Sequence, residues 1–209
     1  MKIIENKKKI DKMIRNASNI FVVGHRHLDL DAIASNIGMV EYIKSFNKKP
    51  IIIINDKTKE AGVKRVLDKL GNNYHIEKSS KVKYRVNNDS LLIVTDTNKK
   101  PLLQDPTLKD IFKNIIIIDH HEHNETSISD ALVVVDDKIS SASEMVTYLL
   151  DGSNIKINKD VATVLLSGII LDTNNFALKT TEEQHHQSLL EARTANRIVS
   201  SFKAFIRSL

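Results

Sequence analysis

Two histidines and two aspartates crowd the nine residues "GHRHLDLDA" (24–32), directly after the apolar run "NIFVV". Further along, Asp96 ends "SLLIVTD", the triplet Asp119-His120-His121 ends "NIIIIDHH", and Asp172 ends "LLSGIILD". Imidazole nitrogens and carboxylate oxygens without sulfur are the donor set of hard or borderline divalent cations such as Mn²⁺ and Mg²⁺. Carboxylates crowded together without a cation repel one another and are driven to protonate. A dinuclear metal site built from His25, Asp29, Asp31, Asp96, His120 and Asp172 would resolve that conflict. Taken singly, Asp29 or Asp31 also suits the N-cap of a helix beginning near Ala32. The remaining histidines have plainer settings. His27 is a loop residue, His123 follows the triplet on its loop, His75 lies among lysines, and His185 and His186 sit in a polar helical stretch.

These acids matter together only if the fold brings the segment ends to one place. Continuous β-branched runs at 19–25, 50–56, 90–96, 114–120 and 131–137 are apolar on both faces, as strands of a covered parallel sheet are. Helical patterns lie between and after them, at 32–46, 59–71, 106–112, 140–151 and 159–173. The alternation predicts an α/β fold, a doubly wound, mainly parallel five-stranded sheet with helices on both faces. In such sheets ligands bind beyond the carboxyl ends of the strands, where these acids and histidines fall. An amphipathic helix over 1–18 leads into the domain, and 181–209 reads as a helical tail.

The chain has 209 residues and no cysteine, which excludes disulfides, thiolate zinc sites and cysteine nucleophiles. The cytoplasm is the simplest compartment, or the cytoplasmic portion of a membrane protein. Apolar runs such as "VATVLLSGIIL" fall short of the roughly 20 residues that span a bilayer, so no membrane contact is expected of this chain. The net charge of +5 is spread as lysine rather than gathered into a stripe, which argues against DNA as a partner. A homodimer is left open.

With "GHRHLDLDAIASNIG", "VTDTNKKPLL", "IIIIDHHEHNE", "SSASEMV" and "SGIILDTNNFALKT" in family order, the chain resembles the DHH phosphoesterase superfamily over roughly residues 15–180. Its wording is most similar to the catalytic domain of GdpP-type cyclic-di-AMP phosphodiesterases, which makes 19–180 the catalytic domain. The resemblance implies one metal on His25, Asp29 and Asp96, and a second on Asp31, Asp96, His120 and Asp172, with Asp96 bridging. It implies two Mn²⁺, with Mg²⁺ or Co²⁺ as alternatives. His121 would face the substrate phosphate as charge stabiliser or general acid, and Asp119 would orient a histidine through its ring N–H. Two such metals can hold a hydroxide nucleophile and neutralise an attacked phosphodiester, opening a cyclic dinucleotide to linear, 5′-phosphorylated pApA.

"SSASE" supplies a helix N-terminus, with Ser140 or Ser141 as cap and as a candidate phosphate contact. Asn174 and Asn175 are candidates for orienting the ligand or for forming a turn. The sequence departs from the family in carrying Leu28 where a proline is common, in its tail after Thr180, and in lacking a glycine-rich, histidine-containing segment. Its six glycines form no such cluster. The start of a DHH-associated domain is therefore the alternative reading of 181–209. Alternative activities are hydrolysis of oligonucleotides, of 3′-phosphoadenosine phosphate or of inorganic pyrophosphate, and a non-catalytic metal- or dinucleotide-binding module.

Overall fold

The structure, a computed structural model, describes residues 1–55 and 60–172. Asn174, Asn175, His185, His186 and the boundary expected at 180 lie outside the described residues. In chain order the elements are α1 (Lys2–Glu5), α2 (Lys7–Asn16), β1 (Ile20–Val23), α3 (Leu30–Lys44), β2 (Ile51–Ile53) and α4 (Ala61–Leu70). There follow β3 (Ile76–Glu77), α5 (Ser79–Val82), β4 (Leu91–Thr95), α6 (Leu108–Ile111) and β5 (Asn114–Asp119). The last are β6 (Leu132–Val135), α7 (Ala142–Asp151) and α8 (Lys159–Asp172).

All pairings in the sheet are parallel, in the order β3-β2-β1-β4-β5-β6. This is the expected doubly wound α/β architecture with one strand more than the five expected. The extra one, Ile76–Glu77, is too short and too polar to stand out in the sequence and forms by pairing with the edge of β2. The lead-in segment is likewise two helices, parted at Asn6, that bury Ile3, Ile10 and Ile14.

The apolar strand runs divide by alternate residues, as the period of two requires. Ile20, Val22, Leu91, Ile93, Ile116 and Ile118 enter the larger core cluster with residues of α2, α3, α4, α7 and α8. Phe21, Val23, Leu92, Val94, Ile115 and Ile117 enter the smaller one, which short pieces such as α5 and α6 close with Val82 and Leu108. The sheet thus carries long helices on one face and short ones on the other. Among the described residues no helix is long and apolar enough to cross a membrane.

The order of connection reverses between β1 and β4, the switch point at which the ends of adjacent crossovers part and leave a crevice. Above it, α3 and α8 pack closely enough to exclude a side chain at Gly168. A Cβ there would meet Ala34 Cβ and the Asp31 Cα at 3.1 Å each, and the Ser143 hydroxyl nearer still. That approach brings Asp172, at the end of α8, toward the sheet. Gly168→Ala should lower the free energy of unfolding by about 1–3 kcal/mol through overpacking. An unchanged urea midpoint would show that the helices do not need this contact.

Candidate metal centre

β1, β4 and β5 lie side by side, so the residues that follow them converge. Asp96 follows β4, the middle strand, and its amide still donates to Ile118 O of β5 at 3.0 Å. Its backbone then turns into the left-handed region at φ 61°, a conformation that costs a non-glycine residue roughly 1–3 kcal/mol. The turn leaves the carboxylate buried, at 2% exposure, between two histidines. Oδ2 is 3.3 Å from His25 Nε2, from the end of β1, and Oδ1 is 3.3 Å from His120 Nε2, from the end of β5.

Each histidine has further carboxylates around it. His25 Nε2 is 3.4 Å from Asp29 Oδ2. Asp29 is also the N-cap of α3, its Oδ1 accepting from Ala32 N at 2.9 Å. The capping and ligand readings of this residue are therefore compatible, one oxygen serving each. His120 Nε2 lies 3.1 Å from Asp172 Oδ2 and 3.9 Å from Asp31 Oδ2. Potential ligand atoms of His25, Asp29 and Asp96 fall within 4.8 Å of one another, as do those of Asp31, Asp96, His120 and Asp172. The six residues expected from sequence are thus brought together as two groups sharing Asp96, and a third group of Asp96, Asp119, His120 and His121 overlaps them.

Asp31 is fully buried, and the N-terminus of α7 holds it in place. Ala142 N donates to Oδ2 at 2.7 Å and Ser143 N to Oδ1 at 2.8 Å. The first amides of α7, those of Ala142 and Ser143 within "SSASE", thus meet a carboxylate of the chain itself, a use of the helix N-terminus that local sequence does not reveal. The hydroxyls of the two preceding serines are engaged in a capping box. Buried Ser141 accepts from Glu144 N at 3.0 Å, while Ser140 donates through its amide and hydroxyl to Glu144 Oε2.

Burial works against charge throughout the cluster, and the balance differs from group to group. It pulls the His25 and His120 imidazoles down, but the carboxylates against them outweigh it and hold both up at about 10. For Asp96 burial pushes upward and is overcome by His120 and His25, so its carboxyl lies below the usual range. Asp31 is pushed well above that range by burial and by the charges of Asp96 and Asp172, with the hydroxyl and amide of Ser143 offsetting part. Asp96 Oδ1 and His120 Nε2 are buried without a hydrogen-bond partner. They are close, but their alignment is not that of a hydrogen bond. Buried, unpartnered donor atoms pointing into a set of carboxylates fit a divalent cation.

His121 is the most exposed of the cluster's histidines, its side chain 57% exposed, with Nδ1 donating to Asp119 Oδ1 at 2.8 Å and lying 3.9 Å from Asp96 Oδ1. That hydrogen bond raises its pKa; burial and His120 oppose the shift. Asp119 is itself held by Asn98, a residue absent from the donor set expected from sequence. Buried Asn98 donates from Nδ2 to Asp119 Oδ2 at 2.7 Å and accepts at Oδ1 from Ser127 Oγ at 2.6 Å. Its position two residues after Asp96 was the available signal. A cleft of ≈ 510 Å³ opens over the cluster, lined by His25, Asp29, Asp96, Asp172 and His121 among others. His27 lines it too, whereas His123 lines a separate hollow and His75 pairs with Glu77.

A family model described as the DHH family, N-terminal domain, matches residues 19–169. The chain belongs to the DHH family. This DHH chain is 32% identical over 181 residues to the cyclic-di-AMP phosphodiesterase GdpP of Bacillus subtilis (strain 168), covering 82% of this chain and 27% of that protein. It is 29% identical over 180 residues to a "Probable manganese-dependent inorganic pyrophosphatase" of Streptococcus equi subsp. zooepidemicus (strain H70), covering 83% and 54%. The crystal structure of an exopolyphosphatase-related protein from Bacteroides fragilis shares the fold, with a TM-score of 0.73 at 18% identity over 95% of this chain and 60% of that one. The DHH chain spans about a quarter of the length of the GdpP relative, 27%.

Because Asn98 supplies a hydrogen bond to a fully buried carboxylate, Asn98→Ala should cost about 1–3 kcal/mol in denaturant unfolding. Asn98→Asp should cost more, since it sets a second carboxylate against Asp119. Equal stability of wild type and both variants would refute the role given to Asn98.

Proposed function

We propose that residues 19–180 form the catalytic domain of a metal-dependent phosphodiesterase that hydrolyses cyclic-di-AMP to linear pApA. The observation that carries this reading is the single carboxylate of Asp96 shared between His25 with Asp29 and His120 with Asp31 and Asp172. In this reading His25, Asp29 and Asp96 hold one divalent cation, and Asp31, Asp96, His120 and Asp172 hold the other. Two Mn²⁺ suit the mixed nitrogen and oxygen set, with Mg²⁺ or Co²⁺ as alternatives. When bound, such a pair neutralises charge on the phosphodiester and lowers the pKa of coordinated water.

The chain's own groups complete the chemistry. His121, held at Nδ1 by Asp119, presents its other ring nitrogen to the departing 3′-oxygen as general acid or charge stabiliser. Ser140 and Ser141 act through the α7 cap, which keeps the amides of Ala142 and Ser143 on Asp31. The GdpP likeness supports the cyclic dinucleotide as substrate. Inorganic pyrophosphate is the second reading, supported by the pyrophosphatase likeness, which covers about half of that relative.

Purified protein assayed with Mn²⁺ against cyclic-di-AMP, linear pApA and pyrophosphate separates the two. Cyclic-di-AMP should be opened to pApA; turnover of pyrophosphate alone would sink the primary reading. Asp96→Ala should reduce bound Mn²⁺ from two per chain and lower kcat by at least about a hundredfold, the loss expected when charge stabilisation of the transition state is removed. Wild-type metal content and rate in that variant would refute the bridging role.

A further inference from the structure

Part of the cleft wall differs in character from the acidic cluster. Arg26, Lys99 and Leu102 line it along with His25, Asp96 and His121. The backbone ties these three residues together, with Arg26 N donating to Leu102 O at 2.7 Å and Leu102 N to Lys99 O at 3.0 Å. His25 and Leu103 form an antiparallel bridge, and Gln104 Nε2 donates to His25 O at 2.8 Å while its Oε1 accepts from Asn55 N at 3.0 Å. The wall is therefore fastened to the backbone of His25.

Arg26 and Lys99 make no ion pair among the described residues, although Asp29, Asp96, Asp119, Asp172 and Glu122 line the same cleft. Neighbouring Lys100, by contrast, pairs with Asp110 at 2.6 Å. Cations that no described carboxylate pairs with, in a cleft so rich in carboxylates, suit an anionic ligand, and a guanidinium suits the paired oxygens of a phosphate. Leu102, bonded through its backbone to both, lines the cleft and keeps 38% of its surface exposed, an apolar area on which the face of a planar ring can lie.

We propose that Arg26, Lys99 and Leu102 form a nucleotide-gripping wall, in which the two cations take the phosphate that is not attacked and Leu102 supports a nucleobase. The proposal rests on the phosphodiesterase reading and sharpens it. A cyclic dinucleotide brings a second phosphate and a base to this wall, whereas pyrophosphate brings no base.

The test is the kinetics of cyclic-di-AMP hydrolysis with Mn²⁺ by Arg26→Gln, Lys99→Gln and Leu102→Ser. Each charge variant should raise KM about tenfold, as expected for loss of a hydrogen bond to a charged group, and weaken the rise of KM with salt. Leu102→Ser should raise KM about threefold or more and leave its salt dependence as in wild type. All three should change kcat by less than about twofold, the pattern of lost uniform binding. Unchanged KM in the three variants overturns the wall, as does a fall in kcat with KM constant.

Turnover of pyrophosphate in place of the dinucleotide overturns both proposals. If the wild type hydrolyses neither substrate, the phosphodiesterase reading fails and equilibrium dialysis of adenosine 5′-monophosphate decides the wall. A Kd at least about fivefold weaker in the R26Q/K99Q double variant would then support it, and an equal Kd would overturn it.

Discussion

The site depends on one buried carboxylate placed between two imidazoles. Asp96 comes from the middle of three adjacent strands, and His25 and His120 come from the strands on either side. Parallel pairing sets all three strand ends at one edge, and the left-handed turn at Asp96 points its side chain across that edge. A slip of one residue in either pairing would send alternate side chains to the opposite faces, disrupting both core clusters and the convergence above them. Core packing and site geometry are therefore fixed by the same register.

Bringing carboxylates this close carries an electrostatic cost that the surrounding backbone partly offsets. Asp31 is the plainest case, because its burial and its acidic neighbours both oppose ionisation. Two amides at the start of α7 point at it, and the partial positive charge of a helix N-terminus acts in the same direction. The capping box of Ser140, Ser141 and Glu144 holds that helix end in shape. Close packing at Gly168 brings α8, with Asp172, onto the same point. Elements distant in sequence thus act on a single acid.

The triplet Asp119-His120-His121 divides its work by direction. His120 points inward to Asp31, Asp96 and Asp172. His121 points outward, with Asp119 beneath it and Asn98 beneath Asp119. Adjacent residues leave a strand end in different directions, so one short segment supplies both a buried donor and an exposed group on the cleft wall.

Much of this was legible in the sequence. The long β-branched runs gave away the central strands because burial on both faces demands apolar residues at every position, and the acids at the segment ends stood out against them. The two-residue strand β3, the break at Asn6 and the thin helical cover of the second face were not legible, since each is set by neighbouring elements rather than by local composition. The sequence by itself determined which donor atoms exist, and that no thiolate is among them. Only the tertiary structure decided that Asp29 both caps a helix and faces His25, that the "SSASE" amides fall on Asp31, and that Asn98 anchors Asp119. These depend on distances between segments far apart in the chain, and no local pattern encodes such distances until the strands have paired and the helices have packed.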